Sequence, residues 1–165
     1  MPIIKPTKPD YIPAIRQLEV ADAEWICPYS REEHLAWMAD PNNAHFSVFT
    51  EENPDPVGFF LIRGLENANR SLELKRIVVG LKGKGIGRHC MQWIKQYCFE
   101  DLAFHRLWLD VFIDNKRAQS LYLSEGFQIE GTLRESIKQG DIYRSLYLLS
   151  ILENEYAIKT RLQTD

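Results

Sequence analysis

The sequence predicts an α+β domain built around one mixed, mostly antiparallel sheet that is flanked by about four helices. Two antiparallel hairpin patterns carry this prediction, near residues 45–63 and 127–151. Between them, residues 72–113 have the pattern of a strand–helix–strand crossover. A doubly wound parallel sheet would alternate strands and helices along the whole chain, so the expected order is instead βααβββαβαββ.

The helices are identified by apolar residues that recur every three or four positions and by their end signals. They are expected at residues 11–20, from about residue 31, at residues 86–98 and at residues 115–125. Ser30 and Glu33 form a capping box ahead of the second of these helices. Gly126 occupies the position that favours the end of the fourth.

The strands are identified by alternating or continuous apolar residues bounded by turn residues. They are expected near residues 3–4, 45–50, 57–63, 72–79, 107–113, 127–132 and 142–151. Turn-rich residues 52–56 and 139–141 separate the two hairpin pairs. With no repeat or low-complexity linker, residues 1–165 are expected to form a single domain.

Composition narrows the classes of protein to which the chain could belong. It has 165 residues, of which 45% are hydrophobic and 12% aromatic, enough for a buried core and too many for disorder. The net charge of −3 argues against nucleic acid as a partner. No apolar run approaches the roughly 20 residues of a membrane span, and the start lacks a signal peptide, so we expect a cytoplasmic protein.

Cysteine and histidine give no sign of a metal site. Cys27, Cys90 and Cys98 lack CxxC spacing, and we expect them to be small buried residues in a reducing compartment. The four histidines form no HxxxH or HxH pair, so no metal is expected.

A glycine-rich segment, residues 80–87, lies between a strand and a helix and predicts an anion site. Its glycines would let backbone N–H groups approach a pyrophosphate, and the helix start adds partial positive charge. Basic residues crowd the same stretch of sequence: Lys75, Arg76, Lys82, Lys84 and Arg88. The alternative is a glycine-rich turn with solvated charges.

Two common phosphate motifs fit this segment poorly. A P-loop needs Lys-Ser/Thr after its second glycine, whereas Ile86 and Gly87 follow Gly85 here. A dinucleotide fingerprint needs GxGxxG near the first strand of a βαβ unit, but the third glycine comes one residue early and the segment lies in mid-chain.

The segment Lys82-Gly83-Lys84-Gly85-Ile86-Gly87 resembles the acyl-CoA motif of the GNAT N-acetyltransferases, Gln/Arg-x-x-Gly-x-Gly/Ala, with lysine at the first position. About thirty residues later, residues 115–127 read Asn-Lys-Arg-Ala-Gln-Ser-Leu-Tyr-Leu-Ser-Glu-Gly-Phe and match the family's Asn-x-x-Ala-x-x-Leu-Tyr-x-x-x-Gly-Phe at every named position. The resemblance covers roughly residues 57–150. It implies a GNAT fold and transfer of an acetyl group from acetyl-CoA to a primary amine by direct attack in a ternary complex, without a metal.

The resemblance also implies a set of residues that bind acetyl-CoA through the pantetheine arm and the pyrophosphate. They are Ile77, Val78, Val79, Lys82, Gly83, Lys84, Gly85, Ile86, Gly87, Arg88, Asn115, Ala118 and Tyr122. Asn115 could equally be a plain helix N-cap.

Amide formation from a thioester makes three chemical requirements, which define the catalytic roles to be filled. The amine must be neutral, the oxyanion must be stabilised and the leaving thiolate should be protonated. The resemblance makes Tyr122 the general acid, which the usual pKa values of thiol and phenol allow. Glu73 is the candidate base, with an ion pair to a neighbouring lysine as the alternative; the spacing of His105 and Asp110 does not favour them.

By analogy with the family that the chain resembles, the acceptor is expected against the N-terminal helical segment. Trp25, Tyr29 and Glu73 are the candidate substrate residues, and residues 19–40 are rich in acidic and aromatic side chains that would suit a cationic amine. A solvated helix face with buried aromatics explains the same residues. A polyamine, an aminoglycoside-like amine and a protein N-terminus remain open.

Residues 134–156 loosely resemble the branch of ribosomal-protein and polyamine acetyltransferases, although Arg144 and Ser145 stand where that branch often has aspartate. Tyr143, Tyr147 and Leu149 alternate along the last strand, and by analogy one face could pack on a second subunit in a homodimer. A CoA-binding regulatory module without catalysis, and a nucleotide-binding oxidoreductase or kinase, are the alternatives to an acetyltransferase.

Overall fold

The structure is a computed structural model that describes residues 1–162, apart from the side chains of residues 159 and 160. Across the described residues its strands are β1 (Ile3–Pro6), β2 (Asn43–Thr50), β3 (Asn53–Arg63), β4 (Ser71–Val79), β5 (Arg106–Phe112), β6 (Gln128–Gln139) and β7 (Ile142–Leu152). Its helices are α1 (Ile12–Ala21), α2 (Arg31–Ala39), α3 (Ile86–Gln96), α4 (Lys116–Ser124) and α5 (Glu153–Leu162). A short 3-10 helix, Pro9–Tyr11, precedes α1, and a π-helical segment, Tyr97–Asp101, follows α3.

The strands are hydrogen-bonded in the order β1-β2-β3-β4-β5-β7-β6. The pairs β1–β2, β2–β3, β5–β7 and β6–β7 are antiparallel, whereas Ser71–Glu73 of β4 runs parallel to Arg106–Trp108 of β5. The predicted mixed, mostly antiparallel sheet is confirmed, and so is the predicted order of elements as far as β7.

The chain divides into two compact units. The first contains residues 1–68 and 74–90, and the second contains residues 69–73 and the chain from Met91 onward. Within the first unit, a core of fully or almost fully buried side chains is formed by Ile15, Phe59, Leu61 and Val78. Partly buried side chains of the helical segment pack against this core: Tyr11, Leu18, Ile26, Tyr29 and Trp37.

The second unit buries alternate residues of β5, as expected for a strand with one face in a core, whereas the buried residues of β7 are Leu146, Leu149, Ser150 and Ile151. Leu107, Leu109 and Leu149 are at most 1% exposed. Strand β6 is different, because all twelve of its residues are exposed. Helix α5 packs through Tyr156, whose ring stacks on Phe99 with centroids 5.0 Å apart.

Three features of the fold differ from the prediction. Helix α5 brings the helices to five rather than about four; most of its described residues are exposed, so burial imposes only a weak apolar pattern on its sequence. Strand β6 extends to Gln139 instead of ending at residue 132. Strand β3 begins at Asn53, so most of the predicted turn at residues 52–56 is strand, and its two prolines lie in the first residues, where a strand tolerates them.

No helix in the described part of the chain is long and apolar enough to cross a bilayer. The expectation for the cysteines holds in part. Cys90 and Cys98 are buried, and burial raises the pKa of each thiol to about 12, whereas Cys27 is exposed.

Candidate active site

The glycine segment of the first unit forms an open loop between β4 and α3. Residues 80–85 are all exposed. Gly83 and Gly85 have φ values of 73° and 74°, the left-handed conformation that other residues adopt only with strain. A Cβ built on either glycine would meet no atom within 4 Å. These glycines are therefore required by backbone conformation, and they leave open space beside the loop in which a ligand could approach the main chain.

The loop ends at the start of helix α3. Gly85 is its N-cap, because its carbonyl accepts the first helical hydrogen bond, from the N–H of His89 at 3.0 Å. The next N–H groups, of Ile86 and Gly87, precede the helical ladder and point out of the helix start. Together with the helix dipole and the exposed Lys84, they form a set of donors that fits a phosphate group.

The basic residues around the loop do not all contribute to this anion site. Arg76 turns away into a pairing with Glu19, with Nη1 2.5 Å from Oε1 and only 7% of its side chain exposed. Lys82 lies 3.4 Å from Asp22 and is about half exposed. The expectation that five basic side chains surround the glycine loop is therefore wrong for Arg76, because the buried carboxylate of Glu19 binds this side chain instead.

Strand β4 leads into the loop through Ile77, Val78 and Val79. Val78 is 2% exposed and belongs to the core, whereas Ile77 and Val79 are partly exposed. Strand β3 approaches β4 closely at Gly58, where an added Cβ would lie only 2.7 Å from the Val78 carbonyl oxygen. Glycine at position 58 thus allows the close approach that fixes this end of β4.

Buried polar side chains of the first unit are linked by hydrogen bonds into a chain of side chains. Glu19 is fully buried and accepts hydrogen bonds from Arg76, from His34 Nε2 at 3.0 Å and from the backbone N–H of Tyr29 at 3.1 Å. His34 Nδ1 lies 3.0 Å from His45 Nε2. This histidine pair could not be predicted from the sequence, because the two residues are eleven positions apart and belong to different elements.

The carboxylate of Glu19 sets one proton of this chain of side chains. A carboxylate can only accept, so His34 Nε2 donates to Glu19, and one proton lies between His34 Nδ1 and His45 Nε2. Within the described residues, His45 Nδ1 has no hydrogen-bond partner. Burial, and then the charge of His34, lower the pKa of His45 to about 3, so that its ring is neutral near pH 7.

The buried chain holds Tyr29 from two sides. Its backbone N–H is bound by Glu19, and the Arg76 guanidinium lies over its ring, 4.0 Å from the centroid. Tyr29 lines a cleft of about 330 Å³ in the first unit. The other lining residues are Glu33, Ala36, Trp37, Asp40 and Asn43. Two aromatic rings and two carboxylates therefore meet around one concave surface.

Only some of the acidic and aromatic residues of the segment 19–40 line this cleft. Glu19 is fully buried, so it faces no acceptor, whereas Glu33 and Asp40 line the cleft. Glu33 also accepts the backbone N–H of Ser30 at 2.7 Å, which confirms the predicted capping box. Trp25 is partly buried and is not a residue that lines the cleft.

Helix α4 of the second unit begins at Asn115, which is its N-cap. Asn115 Oδ1 accepts the backbone N–H of Ala118 at 3.2 Å, so the plain capping role that the sequence suggested for Asn115 is confirmed. The amide of Gln119 donates to the carbonyls of Phe112 and Ile113 at 3.0 and 2.9 Å. These bonds fasten the start of α4 to the end of strand β5.

The other end of α4 closes as a Schellman motif around Tyr122. The N–H of Phe127 donates to the Tyr122 carbonyl at 3.1 Å, and that of Gly126, at φ 97°, donates to the Leu123 carbonyl at 3.1 Å. The Phe127 ring packs on the Tyr122 ring with centroids 6.1 Å apart. The Gly-Phe pair of the sequence motif is thus the cap that fixes Tyr122, whose side chain is 7% exposed.

Two further titratable residues of the second unit are buried. Glu73, the candidate base, is 6% exposed and stands opposite Trp108 in the parallel register of β4 and β5. Lys95 is 5% exposed and pairs with Glu125, the C-cap residue of α4, at 2.8 Å. Across the described residues, no cluster of three or more His, Cys, Asp or Glu side chains could hold a metal ion.

The sequence and the fold are similar to those of known acetyltransferases. The family model described as Acetyltransferase (GNAT) family matches residues 12–127, and the chain belongs to this family. It is 29% identical over 110 residues to the spermidine N(1)-acetyltransferase of Vibrio cholerae serotype O1, an alignment that covers 66% of this chain and 64% of the relative.

Solved structures support the same fold. A mutant form of the spermidine/spermine N-acetyltransferase SpeG of Vibrio cholerae superposes with a TM-score of 0.84 at 22% identity, over 96% of this chain and 98% of that chain. A dodecameric structure of spermidine N-acetyltransferase from Vibrio cholerae gives a TM-score of 0.80 at 23% identity, over 94% of this chain and 95% of that chain. The predicted GNAT fold is confirmed.

Proposed function

We propose that residues 1–165 form one cytoplasmic catalytic domain that transfers the acetyl group of acetyl-CoA to a primary amine by direct attack in a ternary complex. The observation that carries this proposal is the joint presence of a left-handed glycine loop at a helix start and a capped helix that holds Tyr122, in a chain of the GNAT family. No covalent enzyme intermediate is needed, because holding amine and thioester together supplies much of the rate.

Acetyl-CoA supplies an activated acyl group as a thioester. The pyrophosphate is assigned to the donors of Lys82, Gly83, Lys84, Gly85, Ile86, Gly87 and Arg88. The exposed loop, its two left-handed glycines and the open space beside them support this assignment. The pantetheine arm is assigned to Ile77, Val78, Val79, Asn115 and Ala118 on the strength of the family resemblance.

Tyr122 is assigned the role of general acid, which donates the phenol proton to the leaving sulfur. Its support is the match of residues 115–127 to the family motif and the cap that holds the ring in one orientation. Tyr122→Phe should lower kcat about 10²-fold while the affinity for CoA stays within about twofold, because general acids contribute roughly 10²- to 10⁴-fold.

This variant also separates an enzyme from a binding module. We would measure kcat by release of free thiol and CoA affinity by calorimetry on the same preparation. Full turnover in Tyr122→Phe would remove the phenol from the mechanism, and the absence of turnover in the wild type with intact CoA binding would indicate a regulatory module.

Glu73 is assigned the role of base for the amine proton, directly or through water. Its place on strand β4 and its burial support this role. Glu73→Gln keeps the shape and one acceptor oxygen but cannot take the proton. Loss of the acidic limb of the kcat/KM profile in this variant would support the role, whereas an unchanged profile would contradict it.

We propose a polyamine as the acceptor. The spermidine acetyltransferase relative supports this class, and so does the cleft of the first unit, where Glu33 and Asp40 could pair with ammonium groups and the rings of Tyr29 and Trp37 could contact the cationic chain. Trp25 is retained as a substrate candidate by its position in the same segment.

The acceptor can be tested with amines that differ only in charge. Spermidine and spermine should give kcat/KM values at least about tenfold above those of a monoamine of similar length, because a second ammonium adds a charge pair worth roughly 1–2 kcal/mol when partly desolvated. Preference for peptide N-termini or aminoglycosides would contradict this class. Glu33→Gln is a suitable variant, since glutamine preserves the capping box while removing the charge.

We also propose that the protein is a homo-oligomer. Apolar side chains are exposed on the hairpin of β6 and β7: Ile129, Leu133, Ile137, Ile142 and Tyr143. Strand β6 is also an edge of the sheet, and a relative is known in a dodecameric structure. Leu149 is buried in its own unit and takes no part in such a contact, unlike the expectation from its spacing. Sedimentation equilibrium would measure the assembly.

A further inference from the structure

Lys95 makes a buried contact with the cap of helix α4. Its Nζ donates to Glu125 Oε2 and to the Glu125 backbone carbonyl, both at 2.8 Å. Lys95 is 5% exposed and Glu125 is 3% exposed. A lysine is seldom buried, and here its ammonium is satisfied by one carboxylate and one carbonyl of the same residue.

Glu125 is the residue through which this contact reaches Tyr122. Its own N–H donates to the Leu121 and Tyr122 carbonyls at 3.0 and 3.1 Å. Lys95 therefore binds Glu125, the residue that ends the last turn of α4. Glu125 lies three positions after Tyr122 and immediately before the Gly-Phe pair that completes the cap.

The helix itself does not provide this cation. The last carbonyls of a helix lack intrahelical donors and carry partial negative charge, which a nearby Lys or Arg stabilises. The last turn of α4 contains no basic residue. Lys95, from the last turn of α3, supplies from another element the charge that the end of α4 lacks.

We propose that Lys95 is a positioning residue for Tyr122: by binding one carboxylate oxygen and the backbone carbonyl of Glu125, it holds the last turn of α4, and with it the phenol, in the orientation needed for proton donation. This inference rests on the proposed role of Tyr122. Lys95 acts through the helix and touches neither the acyl donor nor the amine.

A double-mutant cycle with Tyr122→Phe tests this role. Lys95→Met, which keeps the length of the side chain, should lower kcat about tenfold or more, because misplacement of a catalytic group by about 1 Å can cost 10²-fold. The KM for acetyl-CoA should stay within twofold. In the Tyr122→Phe background the same substitution should change kcat by less than twofold, since no phenol is left to misplace.

The cycle distinguishes positioning from general stability. If Lys95→Met lowers kcat by the same factor with and without the phenol, Lys95 is merely structural and the inference is overturned. If Tyr122→Phe itself has wild-type turnover, the result contradicts both the role of Tyr122 as general acid and the role of Lys95 as its positioning residue. If Lys95→Met leaves the wild-type kcat unchanged, the result contradicts only the inference about Lys95.

Two further variants keep the test informative. Glu130→Gln removes a partly exposed ion pair with Arg106 in the same unit and serves as the matched control, with additive effects expected in the same cycle. Where Lys95→Met fails to fold, Lys95→Met with Glu125→Leu removes both charges together and leaves no unpaired ion. Its kcat should show the same loss and the same dependence on the phenol; additivity in this pair would overturn the inference.

Discussion

The two units of the molecule each bury a glutamate, but they satisfy it in different ways. In the first unit, Glu19 is shared by Arg76, His34 and the Tyr29 N–H, and the chain continues to His45, whose Nδ1 has no partner within the described residues. In the second unit, Glu125 is paired with Lys95, which also binds the Glu125 carbonyl. The first arrangement is a chain of several side chains, and the second is an ion pair.

The two arrangements show how the stability of a buried charge depends on its partners. The Glu19 site includes His45, whose ring is buried without charge, so protons from acidic solution can disturb it. The Lys95–Glu125 pair contains its own counterion. We expect the Glu19 site to be the more costly of the two to break and the one that responds to pH.

Glu19→Ala should cause the largest effect, a loss of about 3–5 kcal/mol of unfolding free energy, because it leaves the Arg76 guanidinium buried without a counterion. Urea unfolding at pH 7 would measure it. Glu52→Ala, at an exposed turn position, is the control and should change stability by less than about 0.5 kcal/mol. Equal effects of the two substitutions would contradict the buried network.

Glu125→Gln should have a smaller effect, a loss of about 1.5–3 kcal/mol, because the amide oxygen and the backbone carbonyl still accept from Lys95 after the charge is gone. The same unfolding experiment at pH 7 would measure this loss. A loss as large as that of Glu19→Ala would contradict the difference between the two sites.

The smallest expected effect is a pH dependence at His45. Its pKa is about 3 in the folded protein and about 6.5 in the unfolded chain, so the unfolded chain binds the additional proton between these values. Stability is therefore complete above pH 6.5 and falls with acid, by about 1 kcal/mol between pH 7 and 5.5. His45→Gln should remove this part of the slope, and an unchanged slope would contradict the burial of the ring.

The sequence was sufficient to predict structural features that depend only on neighbouring residues. These features are the capping box of Ser30 and Glu33 and the end of helix α4 at Gly126, and the structure contains both. The strand at β6 was underestimated because all of its residues are exposed, so burial imposed no alternation on the sequence. Helix α5 was not predicted because most of its described residues are also exposed.

The sequence could not indicate contacts between distant residues. Arg76 was grouped with the cations of the glycine loop because it is near them in the chain, and its partner Glu19 lies 57 positions away. The His34–His45 pair and the Lys95–Glu125 pair also join different elements, eleven and thirty positions apart. Spacing rules describe one helix or one strand and carry no information on such partners.

The order of elements as far as β7, the glycine loop and the motif around Tyr122 could be predicted from the sequence alone, because each depends on backbone geometry or on residues within a single turn. Folding was needed to establish which charged side chains are buried and which partner each one takes. Desolvating a charge is unfavourable unless an opposite charge or a hydrogen-bond partner is already held in place, and only the folded chain holds it there.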